Sequence, residues 1–255
     1  MELGDLILEG KTLSHITDKN ELHDKYNLWS GKVRMYLDEK RYTQKVQEEV
    51  KVKMHYSENE YSETETIMAL KKSLESTIQI LEEKAYISEK RQVQQAELML
   101  LDRILDNFYM YYRAMYKHPV HKRGTLTLET LSAVQIGNEY DLQRMLYSIL
   151  LPVFPTLRQE VYSDNGYGGM RADFYLDTYN LVIEIKCTRE SLSEKQLVEE
   201  LGADGFHYGA DYIYFFIFDK IGVIKNPEAF KHAFAREKGK DGKTIKTFIL
   251  QAREL

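Results

Sequence analysis

Apolar residues recur at helical spacing through the first half of the chain and at strand spacing through the second. Leu22, Tyr26, Trp29, Val33 and Leu37 fall at i, i+4, i+7 intervals, which predicts a helix over Glu21 to Glu49. Ile67, Leu70, Leu74, Ile78, Leu81 and Ala85 mark a second stripe, continued by Val93, Leu100, Ile104, Phe108, Tyr111 and Met115. The polar run Ser57–Ser62 separates the two, and Ser62 and Glu65 have capping-box spacing ahead of Ile67. Neither glycine nor proline occurs between Lys32 and His118, which favours long helices. An unbroken helix from Ile67 to Met115 would run about 75 Å. A bend or break near Ser88, or pairing with a partner helix, is therefore expected. The stripe suits a bundle that buries its own core and also a dimerisation arm; heptads do not persist far enough for a coiled coil.

His118-Pro119-Val120-His121-Lys122-Arg123-Gly124 reads as a solvated linker. This divides the chain into a helical domain over 1–120, with a regulatory or dimerising role, and a second domain over 125–255. In the second domain Glu139–Leu151 reads as a helix ended by Pro152 and Pro155, with Leu142, Met145, Leu146, Ile149 and Leu150 on its apolar side. Strands are expected at 157–162, 170–176 and 181–187, then a helix at 192–208 and a strongly apolar strand at 212–218. A helix from Ala229, a Gly-Lys-Asp-Gly turn and a strand at 245–251 follow. The order αβββαβ implies an α+β or α/β fold, a mixed sheet flanked by helices behind long N-terminal helices.

Composition narrows the function. The 255 residues carry a net charge of −5, so any nucleic-acid contact must come from a local basic surface. Lys225, Lys231, Arg236, Lys238, Lys240, Lys243 and Lys246 form one such stretch, facing only Glu228, Glu237 and Asp241; phosphate contact and a solvated helix and turn both fit it. One cysteine, Cys187, excludes an internal disulfide and suits a reducing interior. The acidic start lacks a signal-peptide n-region, and no apolar run approaches a membrane span, so a cytoplasmic protein without membrane contact is expected. Seven scattered histidines and one cysteine form no recognisable zinc set.

The candidate chemistry lies in two neighbouring strands, Met170-Arg171-Ala172-Asp173-Phe174-Tyr175-Leu176 and Leu181-Val182-Ile183-Glu184-Ile185-Lys186-Cys187. Alternation puts Val182, Glu184 and Lys186 on one face and Ile183 and Ile185 on the other. Across the hairpin turn Asp177–Asn180, Asp173 falls opposite or diagonal to Glu184. Two carboxylates this close repel unless a cation lies between them, and Mg²⁺, with Mn²⁺ as a substitute, suits such oxygen ligands. The Ile185 carbonyl is a third candidate ligand, and Lys186 is placed to orient a water or help it lose a proton. Arg171 and Arg189 are the candidate phosphate contacts. Glu-x-Lys spacing alone says little, since it also occurs at Glu9/Lys11, Glu49/Lys51 and Glu82/Lys84. An ordinary charged surface strand remains the alternative.

Arg171-Ala172-Asp173 and Glu184-Ile185-Lys186 resemble the motif of the PD-(D/E)XK nuclease superfamily, with its restriction-endonuclease-like fold. Three further segments extend the likeness to small nuclease domains that follow helical domains in bacterial restriction and phage-defence proteins. They are Glu139-Tyr140-Asp141-Leu142-Gln143, Lys186-Cys187-Thr188-Arg189-Glu190-Ser191-Leu192 and Asn226-Pro227. The likeness spans roughly Ile136 to Phe230. It implies that Glu139 is an additional acid aimed at the site, that Asp173 and Glu184 hold the metal, and that Lys186 acts on the water. Two positions depart from the pattern: Ala172 replaces proline, and Glu200 stands where close relatives carry glutamine. The expected function is metal-dependent hydrolysis of phosphodiester bonds, in DNA before RNA, in defence or restriction. A homo-oligomer through the N-terminal helices and a regulatory protein partner are the expected associations. The alternative is a non-catalytic binding or regulatory protein that keeps the fold.

Overall fold

The computed structural model describes residues 2–55, 62–164, 169–237, 242–252 and 255. Most of the Ser57–Ser62 run and most of the Gly-Lys-Asp-Gly turn lie outside them, with Lys238 and Lys240. The chain forms two compact units, Met1–Ala96 and Glu97–Leu255.

The first unit is helical: α1 (Leu3–Leu13), α2 (Lys19–Glu39), α3 (Gln44–Met54) and most of α4 (Glu63–Asp106). The stripe read from the sequence up to Ala85 is its core, where Leu22, Tyr26, Trp29, Val33 and Leu37 of α2 pack with Leu70, Leu74, Ile78 and Leu81 of α4, whereas Val93, Leu100 and Met115 of its expected continuation are exposed. The two largest fully buried side chains with polar groups in this unit, Trp29 and Tyr26, have partners. The Trp29 indole N–H donates to the Leu6 carbonyl at 2.8 Å, and the Tyr26 hydroxyl contacts Ser73 Oγ at 2.6 Å. Two expectations are corrected. The helix expected over Glu21–Glu49 is two helices, because Lys40–Thr43 forms a turn in which Arg41 takes φ 52°. No glycine or proline announces it. Nor does α4 break near Ser88: it is continuous from Glu63 to Asp106, and the interruption falls at Asn107, ahead of α5 (Phe108–Tyr116).

The second unit begins within α4, well before the His118–Gly124 segment. Leu98, Leu101 and Leu105 of α4 and Phe108 and Tyr112 of α5 share a core with Leu142 and Leu146 of α7 (Glu139–Leu150) and with Ile183 and Ile185. The proline-and-glycine cue marks where α5 stops, whereas core packing decides where the compact unit starts. A short α6 (Leu128–Ser132) precedes α7. The sheet has the order β1 (Leu157–Asp164), β2 (Gly169–Leu176), β3 (Leu181–Cys187), β4 (Tyr212–Asp219), β5 (Thr244–Gln251). The first two pairings are antiparallel and the last two parallel, giving the expected mixed α+β architecture. α8 (Glu194–His207) is the crossover between β3 and β4, and α9 (Pro227–Phe234) lies between β4 and β5. Alternation along β3 sends Val182 into a core with Leu197 and Leu201 of α8, while Ile183 and Ile185 face α7.

Candidate active site

The β2–β3 hairpin holds its ladder only at its closed end. Leu176 pairs with Leu181, Tyr175 with Val182 and Phe174 with Ile183; the next step in this register would be Asp173 with Glu184, and there the ladder ends. On the other side of β2, Gln159 pairs with Phe174 and Val161 with Ala172, skipping Glu160 opposite Asp173. Glu160 adopts φ 53°, a left-handed conformation that costs a non-glycine residue roughly 1–3 kcal/mol. Asp173 therefore sits where the sheet opens. Its Oδ2 accepts the Ile185 N–H at 2.7 Å, in the place a strand partner would take, and its Oδ1 accepts from Gln143 Nε2 at 3.3 Å.

Glu184 is buried on the α8 side of β3. Its Oε1 accepts from Lys186 Nζ at 2.9 Å and its Oε2 from the Tyr208 hydroxyl at 2.6 Å. Lys186 Nζ also lies 2.9 Å from Asp204 Oδ2. Asn138 caps α7: its side chain accepts the N–H groups of Tyr140 and Asp141 at 2.9 and 3.2 Å, while Asp141 reaches back to the Asn138 N–H at 3.2 Å. Such a cap is worth about 1 kcal/mol and fixes Glu139 as the first helical residue. Beside Glu139 a cavity of about 650 Å³ is lined by Cys187, Thr188, Arg189, Lys220 and Ile221 among others.

The electrostatics are those of crowded acids around one ammonium. Burial, then the neighbouring Glu184, pushes Asp173 up to about 7 against the pull of the Ile185 N–H. Glu139 is also raised, by burial first, with Glu184 adding to it and Lys186 opposing. Burial alone would lower Lys186; the Glu184 and Asp204 carboxylates outweigh it and hold the ammonium well above its ordinary value. Burial and Glu184 together raise the Tyr208 phenol, so it stays a donor.

The fold thus brings Asp173, Glu184, Lys186 and Glu139 into mutual electrostatic reach. Arg171 is exposed and ion-paired with Glu160, and Arg189 faces the cavity beside Glu139. The basic C-terminal stretch is partly committed elsewhere: Lys246 bonds Asp102 at 2.6 Å and Lys243 donates to the Tyr208 carbonyl at 2.6 Å. Gln143, Asp204 and Tyr208 enter the site without having been singled out for it in the sequence. The spacing Glu200–Asp204–Tyr208 was the available signal, since i, i+4 residues share a helix face.

The sequence model of the family described as REase_DpnII-MboI matches residues 99–252, well over half of the chain. The chain belongs to this DpnII-MboI restriction-endonuclease family. The match opens inside α4 and closes in the residue after β5, so it takes in every element of the second unit from the last turns of α4 onward. A nuclease function on DNA goes with that membership, and the fold is the restriction-endonuclease-like one. No curated protein and no solved structure matches the chain.

Among the described residues no three His, Cys, Asp or Glu side chains stand close enough together to form a ready-made metal cluster. The donor chemistry nevertheless fits a divalent ion. Glu139, Asp173 and Glu184 crowd three carboxylates around Lys186, which Asp204 also engages, and the repulsion from Glu184 that adds to burial in raising Asp173 and Glu139 is what a cation would relieve.

Proposed function

We propose that this chain is a divalent-metal-dependent DNA endonuclease whose reaction centre is Asp173, Glu184, Lys186 and Glu139. The observation that carries this reading is the opening of the β2–β3 ladder at Asp173, which leaves two carboxylates and an ammonium together where the hairpin parts. Asp173 and Glu184 would hold Mg²⁺ or Mn²⁺, with the Ile185 carbonyl as a further ligand. When bound, the ion supplies positive charge to the phosphate oxygens and acidifies water.

The chain's own groups do the rest. Lys186 is kept cationic by Glu184 and Asp204, so it orients the attacking water and stabilises negative charge on the phosphate rather than serving as the base. Glu139, with its raised affinity for a proton, is suited to proton exchange at the site. Arg189, on the cavity wall, is placed for phosphate contact, and Arg171 becomes available once Glu160 releases it.

The helical unit is assigned regulation or self-association, and the biological role is restriction or defence in the cytoplasm. No helix among the described residues is long and apolar enough to cross a membrane. The test is cleavage of supercoiled plasmid by the full chain, with Mg²⁺ and with chelator, wild type against Lys186→Ala. Metal-dependent nicking by wild type alone is expected. Equal cutting by both proteins would refute this assignment of the centre.

A further inference from the structure

Resting on the nuclease reading above, we propose that Asp204 and Tyr208 of the crossover helix are the positioning residues of the reaction centre, Asp204 anchoring the Lys186 ammonium and Tyr208 fixing the Glu184 carboxylate.

Leu197, Leu201, Asp204 and Tyr208 follow one another at intervals of four, three and four, a single stripe along α8 and its C-terminal cap. The first two are buried against Val182 and Ile213. The stripe turns polar where it meets Glu184 and Lys186. A leucine at 204 would continue the packing; a carboxylate instead adds a second negative charge beside Lys186, next to Glu184, which folding alone disfavours. That charge makes sense as a second anchor for Lys186, which bridges Glu184 and Asp204 at 2.9 Å each. Lys186 then keeps a partner when Glu184 is engaged as a ligand. Tyr208 is buried, and its hydroxyl reaches Glu184 Oε2 at 2.6 Å and the Arg171 carbonyl at 3.4 Å. With Lys186 on one oxygen and Tyr208 on the other, the Glu184 carboxylate has one orientation, and each oxygen keeps a lone pair for a ligand bond.

The two roles separate experimentally. Mn²⁺ binding to the full chain is read by electron paramagnetic resonance, alongside plasmid cleavage at saturating Mn²⁺. Tyr208→Phe keeps the buried ring and is expected to weaken Mn²⁺ binding about tenfold or more, the usual cost of losing a group that orients a ligand. Asp204→Asn is expected to lower kcat about tenfold or more while Mn²⁺ binding falls less than in Tyr208→Phe, because Tyr208 still holds the Glu184 carboxylate. Asp204→Glu, which keeps the anchor's charge, should recover part of kcat; it also serves if the asparagine variant does not fold. Wild-type Mn²⁺ binding in Tyr208→Phe, or wild-type kcat in both Asp204 variants, overturns the assignment of that residue. A wild-type protein that neither binds Mn²⁺ nor cuts DNA removes the nuclease reading itself.

Discussion

Asp173 Oδ2 accepts the backbone N–H of Ile185 at 2.7 Å, a side chain standing in for a strand at the point where β2 and β3 part. This gives Asp173 a structural duty beside its proposed ligand role, and the two can be dissociated. Asp173→Ala leaves the Ile185 N–H without its acceptor and should be about 1–3 kcal/mol less stable than Asp173→Asn. Asp173→Asn keeps an acceptor and removes the repulsion with Glu184. Because the folded protein pushes Asp173 up to about 7, it holds that proton more tightly than the unfolded chain does. The native carboxylate therefore costs stability increasingly as pH rises from about 4 towards 7. In chelator at pH 8 the asparagine variant should exceed wild type by about 1–2 kcal/mol, and the difference should vanish near pH 4. Both variants should be inactive. Thermal unfolding across pH, with cleavage assays, checks this; an asparagine variant less stable than wild type at pH 8 contradicts the electrostatics described.

Lys186 is the ammonium that Glu184 and Asp204 share, with its side chain 17% exposed. Removing one partner of a largely buried ion pair leaves uncompensated charge. Lys186→Ala should abolish cleavage and lower stability by about 3 kcal/mol in chelator, and a divalent ion should return part of the loss by neutralising Glu184. Calorimetry with and without Mn²⁺ measures both. An alanine variant as stable as wild type in chelator would mean that water already screens the pair.

How much of this was readable beforehand depends on the range of the interaction. Strand alternation is local, and it placed Glu184 and Lys186 on one face and Ile183 and Ile185 on the other, as found. The αβββαβ order is likewise a sum of local patterns. Asp204 and Tyr208 meet Glu184 and Lys186 only after a crossover helix has folded back, and Gly202-Ala203-Asp204-Gly205 is poor helix material by propensity alone. The break at Lys40–Thr43 was hidden because Arg41, not glycine, takes the left-handed turn. The start of the second unit was hidden because α4 runs through it without interruption, so no turn signal marks the change of core.

Glycine in the helical unit offers a contrast in sign. A Cβ on Gly10 would lie 2.8 Å from Trp29 Cζ2 and 3.1 Å from Ile78, whereas one on Gly31 meets nothing within 4 Å. Both residues are helical, so alanine gains up to about 1 kcal/mol of propensity at either. At Gly10 overpacking costs about 1–3 kcal/mol, and Trp29 is held by its bond to the Leu6 carbonyl and cannot retreat. Gly31→Ala should raise the unfolding midpoint and Gly10→Ala should lower it. Chemical denaturation of the two variants decides; stabilisation by both would show that α1 shifts freely against α2.

Glu139 combines a good helix position with a poor electrostatic one. As the first residue of α7 it benefits from the helix N-terminus and from the Asn138 cap. Yet burial and the nearby Glu184 raise its affinity for a proton. Glu139→Gln keeps the helix and most of the packing while removing the repelled charge. It should leave stability in chelator unchanged or slightly higher and lower plasmid cleavage about a hundredfold or more, the usual range for a proton-transfer group. Asn138→Ala does the reverse: the carboxylate stays, the cap is lost, stability falls by about 1 kcal/mol, and cleavage falls as Glu139 loses its fixed place. If the two act through one geometry, the double variant should cut no more slowly than Glu139→Gln alone, because a cap that positions an absent carboxylate has nothing left to contribute. Additive losses in that cycle would assign Asn138 a separate role at the cavity beside Arg189.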